Sequence, residues 1–441
     1  MRRVATRKVE YLLIGGGLAS ANCARWLREG GAQGTVLVVG REPDMPYNRP
    51  ECTKGYLRGE ETREQTMFRP QGWWGEQDIE VLTRTSVTGL DLDAKEAKLS
   101  SKDEVEFGQA LIATGANVRR LNVEGCELHG IYYLRTLGNA DSIREGVAGS
   151  EAGSGSESEA EEVVLIGGSY IGCEVAASLS MMGKRATIVM QERATLERGF
   201  GERAGGFAQG LLEEHGVRVY GQDELERFEA GDAQAGGAQA GAGRVGKVIT
   251  RGGLELRADA VVVGAGVTPD VGLAQRAGLR IGQAGGIACD AGLRTPVPGV
   301  YAAGDVCEYE SVVHGGERIR IEHWDVAFNH GKTAALNMLG QDVKHEVVPY
   351  FYSVLGDWGE FEYVGPAKEW DEEIVRGSMA DGKDSEFTNW YLTGGRVVAA
   401  LTWGRSDDLE DARRLLRAGV ELSDEQKAAL GDVNVDLGDV G

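Results

Sequence analysis

The sequence predicts an α/β fold in which two domains built on parallel sheets are followed by a smaller α+β domain, and three observations carry that prediction. Two segments, Glu10 to Glu42 and Val163 to Glu192, share one design: a short apolar run, a glycine-dense turn, a helix pattern and a second apolar run ending in polar residues. After Gly340 the pattern changes to aromatic-rich alternating runs, PYFYSVLGDWGEFEYVG, FTNWYL and RVVAALTW, which read as antiparallel strands. The length, 441 residues, leaves room for two to four domains at ~100–200 residues each.

In chain order, Arg2, Arg3, Arg7 and Lys8 lead into the apolar Tyr11-Leu-Leu-Ile14, which Gly15-Gly-Gly17 interrupts too soon for a signal peptide or a membrane span. The chain is therefore expected to be soluble and cytoplasmic. Gly149 to Glu162 (GSEAGSGSESEAEE) has no apolar residue but Ala and reads as a solvated linker. Ala230 to Gly246, lying between Val217–Tyr220 and Val248–Thr250, reads as an enlarged hairpin loop. The run AVVVGAGVTPD from Ala260 is a buried strand closed by a turn, and Gly299 to Asp305 is another strand ending in Gly-Asp. Asp407 to Ala418 has helix spacing, with Leu409, Ala412, Leu415 and Leu416 on one face and Ser406 or Asp407 as the cap. These patterns set the expected domains: 1–119 with 254–338, then 120–253, then 339–441.

Composition narrows the function. Lys and Arg number 47 against 69 Asp and Glu, a net charge of −22, which disfavours nucleic acid or an anionic membrane as partner because phosphate binding needs a positive surface. The 66 glycines, about twice the usual ~7%, show no three-residue period and so belong to tight turns. Six scattered cysteines with no CxxC, CxxxxC or zinc-type spacing read as reduced thiols, and no metal site is expected.

The first turn, Gly15-Gly-Gly17-Leu18-Ala19-Ser20, is a GxGxxG pattern with Ser in the third place, between a strand and a helix. Gly15 permits the turn and Gly17 lets the backbone approach a pyrophosphate at the positive helix N-terminus, the mark of a Rossmann-like dinucleotide site. The acidic residue expected ~20 residues on, for the ribose, falls at Gly40-Arg41-Glu42; Arg41 holds the slot and Glu42 is the nearest substitute. The second turn, Gly167-Gly168-Ser169-Tyr170-Ile171-Gly172, keeps the first and third glycines. Its second strand ends at Glu192, a natural ribose acceptor that would repel a 2′-phosphate, although Arg193 argues the other way. Two such sites in one chain are most simply FAD and a nicotinamide cofactor, NADH before NADPH.

At this point the sequence resembles the FAD-dependent pyridine nucleotide oxidoreductases, in the branch with ferredoxin and rubredoxin reductases, apoptosis-inducing factor and monodehydroascorbate reductase. The resemblance rests on Pro46-Tyr-Asn-Arg49-Pro-Glu-Cys-Thr-Lys54-Gly-Tyr-Leu, Ala113-Thr114-Gly115, Gly264-Ala-Gly266-Val-Thr-Pro-Asp270, Ala303-Gly304-Asp305, Ile321-Glu-His-Trp-Asp325 and Pro349-Tyr-Phe-Tyr352-Ser, in order from Val9 to Gly419. It implies three-layer ββα dinucleotide domains. It further implies that Asp305 binds the FAD ribityl chain, that Arg49 and Arg135 hold the phosphates, and that Val87 contacts the cofactor. By the same resemblance Lys54 sits beside the flavin paired with Glu174, Glu322 and His323 meet the nicotinamide, and Trp324 and Tyr352 line the flavin ring.

The expected function is an NAD(P)H-dependent flavoprotein reductase that passes electrons to an external acceptor: a quinone, an organic radical, O₂, or a small iron–sulfur protein. A monomer or homodimer is expected. Two alternatives stand beside it. One is a slow flavin redox sensor or NADH oxidase like apoptosis-inducing factor; the other is a peroxidase using Cys52, the lone cysteine near the flavin segment.

Overall fold

The computed structural model describes residues 6–148, 161–231 and 243–441. Its first sheet runs Ile79–Leu82, Val36–Val39, Thr6–Ile14, Glu104–Ile112, Glu96–Leu99, Val87–Asp91, and Val300–Ala302 joins it beside Glu104–Ile112. From Tyr11 to Ile14 the central strand is buried on both faces, as expected of a parallel strand covered on both sides. Leu13 and Val38 pack against Leu18, Cys23 and Leu27 of helix α1 (Leu18–Glu29). Leu12, Ile14 and Leu37 pack on the other side with Ala97, Leu99 and Val105 of the antiparallel meander.

The second sheet is wholly parallel, in the order Arg218–Tyr220, Arg185–Val189, Glu162–Ile166, Ala260–Val263, Ile131–Tyr133. Helices α2 (Tyr170–Met181) and α3 (Glu197–Glu214) belong to this domain. Its own meander is Leu225–Ala230, Val245–Thr250 and Glu255–Arg257. Three expectations are corrected here. The boundary at 253/254 falls inside this domain, because Glu255–Arg257 and Ala260–Val263 pair only with its strands. The hairpin around the Gly/Ala-rich stretch is closed by Leu225–Ala230, since Arg218–Tyr220 lies in the parallel sheet. Glu162 is not linker but the start of a strand, ion-paired with Arg185 and Arg218; the rest of that stretch, apart from Glu161, lies outside the described residues.

Two short strands, Ala116–Val118 and Val267–Pro269, pair antiparallel where the chain leaves and re-enters the first domain. Helix α4 (Trp324–Met338) then lies along α1. Gly331 makes that approach possible, since a Cβ there would stand 2.4 Å from the carbonyl oxygen of Ala19.

The third domain is an antiparallel sheet ordered Tyr350–Leu355, Gly359–Val364, Arg396–Trp403, Glu386–Thr393, Glu372–Ser378. Asp407 holds the cap position of helix α5 (Asp408–Ala418), as expected, but makes no side-chain capping bond. Asp407 is already helical, and Asp408 instead accepts from Thr388 Oγ1 (2.5 Å) and Arg405 Nε (2.9 Å). An aromatic seam joins this sheet to the second domain: Phe200 and Phe207 of α3 pack against Phe361, with centroids 5.1 and 6.0 Å away, and Phe207 meets Trp403 at 5.2 Å. Among the described residues no helix is long and apolar enough to cross a membrane, and no cluster of His, Cys, Asp and Glu could hold a metal.

Candidate cofactor cleft

The first glycine turn is built by contact. Gly15 has φ +122°, and a Cβ on it would lie 2.1 Å from the Ala113 carbonyl oxygen, so only glycine closes this turn against Ala113–Gly115. A Cβ on Gly17, the residue before α1, would meet no protein atom within 4 Å; it would project into a cleft of about 600 Å³. A bare backbone at a helix N-terminus, facing such a cleft, fits the pyrophosphate of a dinucleotide. Gly15, Gly17, Leu18, Ala19, Val87, Ala113, Thr114, Gly115, Gly266, Gly304 and Asp305 all line the cleft. Ser20 does not: it is buried inside α1, and Gly331 supplies the close helix approach along that stretch.

Alternating charges run along the cleft wall. Glu42 accepts from Tyr47 Oη (2.6 Å) and Arg49 Nη2 (2.6 Å). Burial alone would raise its carboxyl, but the Arg49 guanidinium outweighs this and holds it below the usual range. Arg49 also donates to the Arg135 carbonyl (2.7 Å), and Arg135 Nη2 pairs with Asp305 at 2.7 Å. Arg41 reaches away from Glu42, donating to Asp270 (2.9 Å) and Asn117.

In the second turn Gly167 has φ +105°, and a Cβ on Gly172 would lie 2.1 Å from the Gly167 carbonyl oxygen. Both shape the turn without lining the cleft, whereas Ser169, Tyr170 and Ile171 do line it. Ser169 turns its hydroxyl back to the Gly264 carbonyl (3.2 Å) and so leaves the approach clear. Glu192 lies outside the cleft lining and is ion-paired with Arg198, while Arg193 faces Glu202 at 3.6 Å.

Between the two turns Lys54 Nζ meets Glu174 at 2.6 Å, with 12% and 8% of the two side chains exposed. One Glu174 oxygen also accepts from Thr53 Oγ1 (2.5 Å), and the other from Ser353 Oγ (2.8 Å) and the Val354 N–H (3.3 Å). This single carboxylate, carried on α2, ties together all three domains. Lys54 also stands 5.7 Å from the Tyr352 ring centre. Burial, reinforced by Glu51 and Glu174, pushes the Tyr352 phenol up to about 12.

The remaining wall comes from the start of α4. His323 packs on Phe351 (4.5 Å between centroids), and burial lowers its imidazole to about 4, so it is neutral at pH 7. Trp324 stacks on Phe328 (5.2 Å, 9°) and donates to Asn48 Oδ1 (3.2 Å). Glu322 sits exposed on the lip, bonded to Arg320 (2.6 Å). Cys52 is buried, and burial pushes its thiol up to about 12; such a thiol stays protonated and is a poor peroxidatic nucleophile. Sequence reasoning missed Tyr47, Phe351, Ser353 and Asp270. For Phe351 and Ser353 a signal existed, since Tyr350–Leu355 alternates and both fall on its buried positions.

Residues 9–331 match the family described as pyridine nucleotide-disulphide oxidoreductase, and residues 357–440 match the reductase C-terminal domain. Rhodocoxin reductase of Rhodococcus erythropolis is 31% identical over 97% of this chain and 93% of its own length. Human apoptosis-inducing factor 3 is 27% identical over 92% of this chain and 63% of its own. Among solved structures, the covalent putidaredoxin reductase–putidaredoxin complex superposes with a TM-score of 0.87 at 28% identity, over 98% of both chains.

Proposed function

Because this chain belongs to the pyridine nucleotide-disulphide oxidoreductases, it is an FAD-dependent NAD(P)H oxidoreductase, and we propose that it draws electrons from NADH and delivers them to a small iron–sulfur protein of the ferredoxin type. FAD, when bound, accepts the hydride as an electron pair and releases electrons onward. The first glycine turn, Ala113–Gly115, Arg135, Gly304 and Asp305 form the proposed FAD seat, and Ser169–Ile171 with Gly266 the nicotinamide side.

The observation that carries this reading is the Lys54–Glu174 pair, buried where the two turns face each other and walled by His323, Trp324 and Tyr352. Lys54 places a fixed positive charge where negative charge gathers on reduction, and Glu174 fixes its position. His323, neutral and packed on Phe351, excludes water without adding charge. No second cysteine pairs with Cys52, and all six thiols are free, so electrons have no disulfide to pass through. A preference for NADH rests on Glu192 beyond the end of Arg185–Val189, which would exchange its Arg198 partner for the ribose hydroxyls.

The partner reading draws on relatives named for such carriers. The arginines of α5 are partly neutralised within their own turns, Arg413 by Glu410 (3.3 Å) and Arg414 by Asp411 (3.0 Å). On this reading docking draws on shape and on the half-buried aromatic wall more than on net charge. The test is NADH-driven reduction of a panel of [2Fe–2S] ferredoxins, quinones and O₂, with NADPH in parallel. The reading expects one class of ferredoxin to exceed every quinone in kcat/KM and NADH to exceed NADPH. A quinone that outperforms all carriers, or reoxidation slow with every acceptor, refutes it.

A further inference from the structure

We propose that Arg41 grips the adenosine end of FAD, as a strap anchored on Asp270 and Asn117, in place of the acidic ribose acceptor that usually ends the second strand of such a domain. The inference rests on reading the first glycine turn as the FAD seat.

Three observations carry it. The ribose slot after Val36–Val39 holds Arg41, a cation where a carboxylate is expected. The nearest substitute, Glu42, is committed elsewhere, its two oxygens bonded to Tyr47 and Arg49. Arg41 itself lines the cleft and crosses its lip, with Nη1 donating to Asp270 Oδ2 at 2.9 Å and Nη2 to Asn117 Oδ1.

The anchor is tied down by backbone hydrogen bonds, and the arm is open to solvent. Asp270 is bolted by its backbone at both ends, its N–H donating to the Gly115 carbonyl (2.8 Å) and its own carbonyl accepting from Thr114 Oγ1 (2.7 Å). Asn117 sits opposite Thr268 in the paired strands that link the two domains. The Arg41 side chain is half exposed, and Asp270 is 29% exposed. An ion pair this open to solvent contributes little to folding. Its effect falls on what it covers. A guanidinium held at two nitrogens still offers a flat, weakly hydrated face and spare N–H donors, suited to an adenine ring and a ribose hydroxyl.

The test compares two flavins on the holoenzyme. FAD release is followed by flavin fluorescence after dilution into an apoflavoprotein trap, and FMN release from protein exchanged into FMN. FMN lacks the adenosine. Arg41→Ala and Asp270→Asn should each speed FAD release by about tenfold, the loss of one positioned contact, and leave FMN release unchanged. Arg41→Lys, which keeps the charge but not the plane, should fall between. Equal acceleration for both flavins makes Arg41 a structural tie and overturns the proposal. Unchanged FAD release overturns it as well: an accompanying rise in KM for NADH then shows that the turns were assigned the wrong way round, and an unmoved KM shows that the strap alone fails.

Discussion

Glu174→Gln perturbs the junction of all three domains through a single atom. The carboxylate accepts four hydrogen bonds, two per oxygen: Lys54 and Thr53 on one, Ser353 and the Val354 N–H on the other. An amide has one accepting oxygen, so two donors face an NH₂ whichever way it turns. Removing one member of a buried pair costs about 3–5 kcal/mol, and with so little of either side chain exposed we expect about 3 kcal/mol off the stability. If about half of that bears on where Lys54 is held during hydride transfer, reduction slows about tenfold. Lys54→Met also breaks the pair and leaves the Glu174 carboxylate buried without its countercharge, so a comparable loss of stability is expected, while losing the charge slows reduction about 10²-fold. Denaturant midpoints and stopped-flow reduction by NADH read the two quantities separately. A Glu174→Gln protein with an unmoved midpoint and an unmoved rate would refute the reasoning.

Cys52→Ala should leave flavin reduction at two electrons per FAD. In the intact protein the thiol should resist alkylation at pH 8 and become reactive only on unfolding; four electrons per flavin in a reductive titration would restore the peroxidase alternative. Because burial raises that thiol to about 12, its share of stability is complete below the unfolded value of about 8.5 and is lost as pH climbs from there towards 12. Three histidines act at the other end. His314, His323 and His345 are each lowered to about 4 by burial, so stability present above about pH 6.5 falls as the pH drops towards 4. His345→Gln should flatten that slope by up to about 1.4 kcal/mol per pH unit, checked by urea midpoints across the range. Deleting 149–160 should leave reduction intact. A deletion running through Glu162 also removes its ion pairs with Arg185 and Arg218 and the start of its strand, and should be the less stable of the two by about 1 kcal/mol.

What could be read from the sequence was local. Gly15 and Gly167 announce their turns because a positive φ and a nearby carbonyl exclude any other residue, and both strand–turn–helix units follow from that together with the run of apolar residues before each. The aromatic strands of the third domain were legible by alternation. Glu372–Ser378 was not, since EEIVRGS offers a charged and glycine-containing run and becomes a strand through pairing with Glu386–Thr393. The break between the domains was misplaced for a similar reason: nothing in AVVV says which of two parallel sheets it joins, and register with Glu162–Ile166 decides it.

The cleft residues divide along the same line. Lys54 and Glu174 stand out within their own motifs, but their environment is assembled from afar: Thr53 lies 121 residues from Glu174 in sequence, and Ser353 lies 179. Alternation puts Ser353 on the buried side of its strand, but nothing local says which group it meets there. Its weight comes from the docking of the third domain, which the aromatic seam of Phe200, Phe207, Phe361 and Trp403 secures. That seam and the Glu174 carboxylate are parts of one joint, since α2 and α3 belong to the same domain and both meet the antiparallel sheet. A shift of Ser353 bears on Lys54, because the oxygen that holds Ser353 and the oxygen that holds Lys54 belong to the same carboxylate. The third domain thus contributes to the proposed redox site twice, through the Ser353 bond to Glu174 and by supplying Tyr352 to the cleft wall.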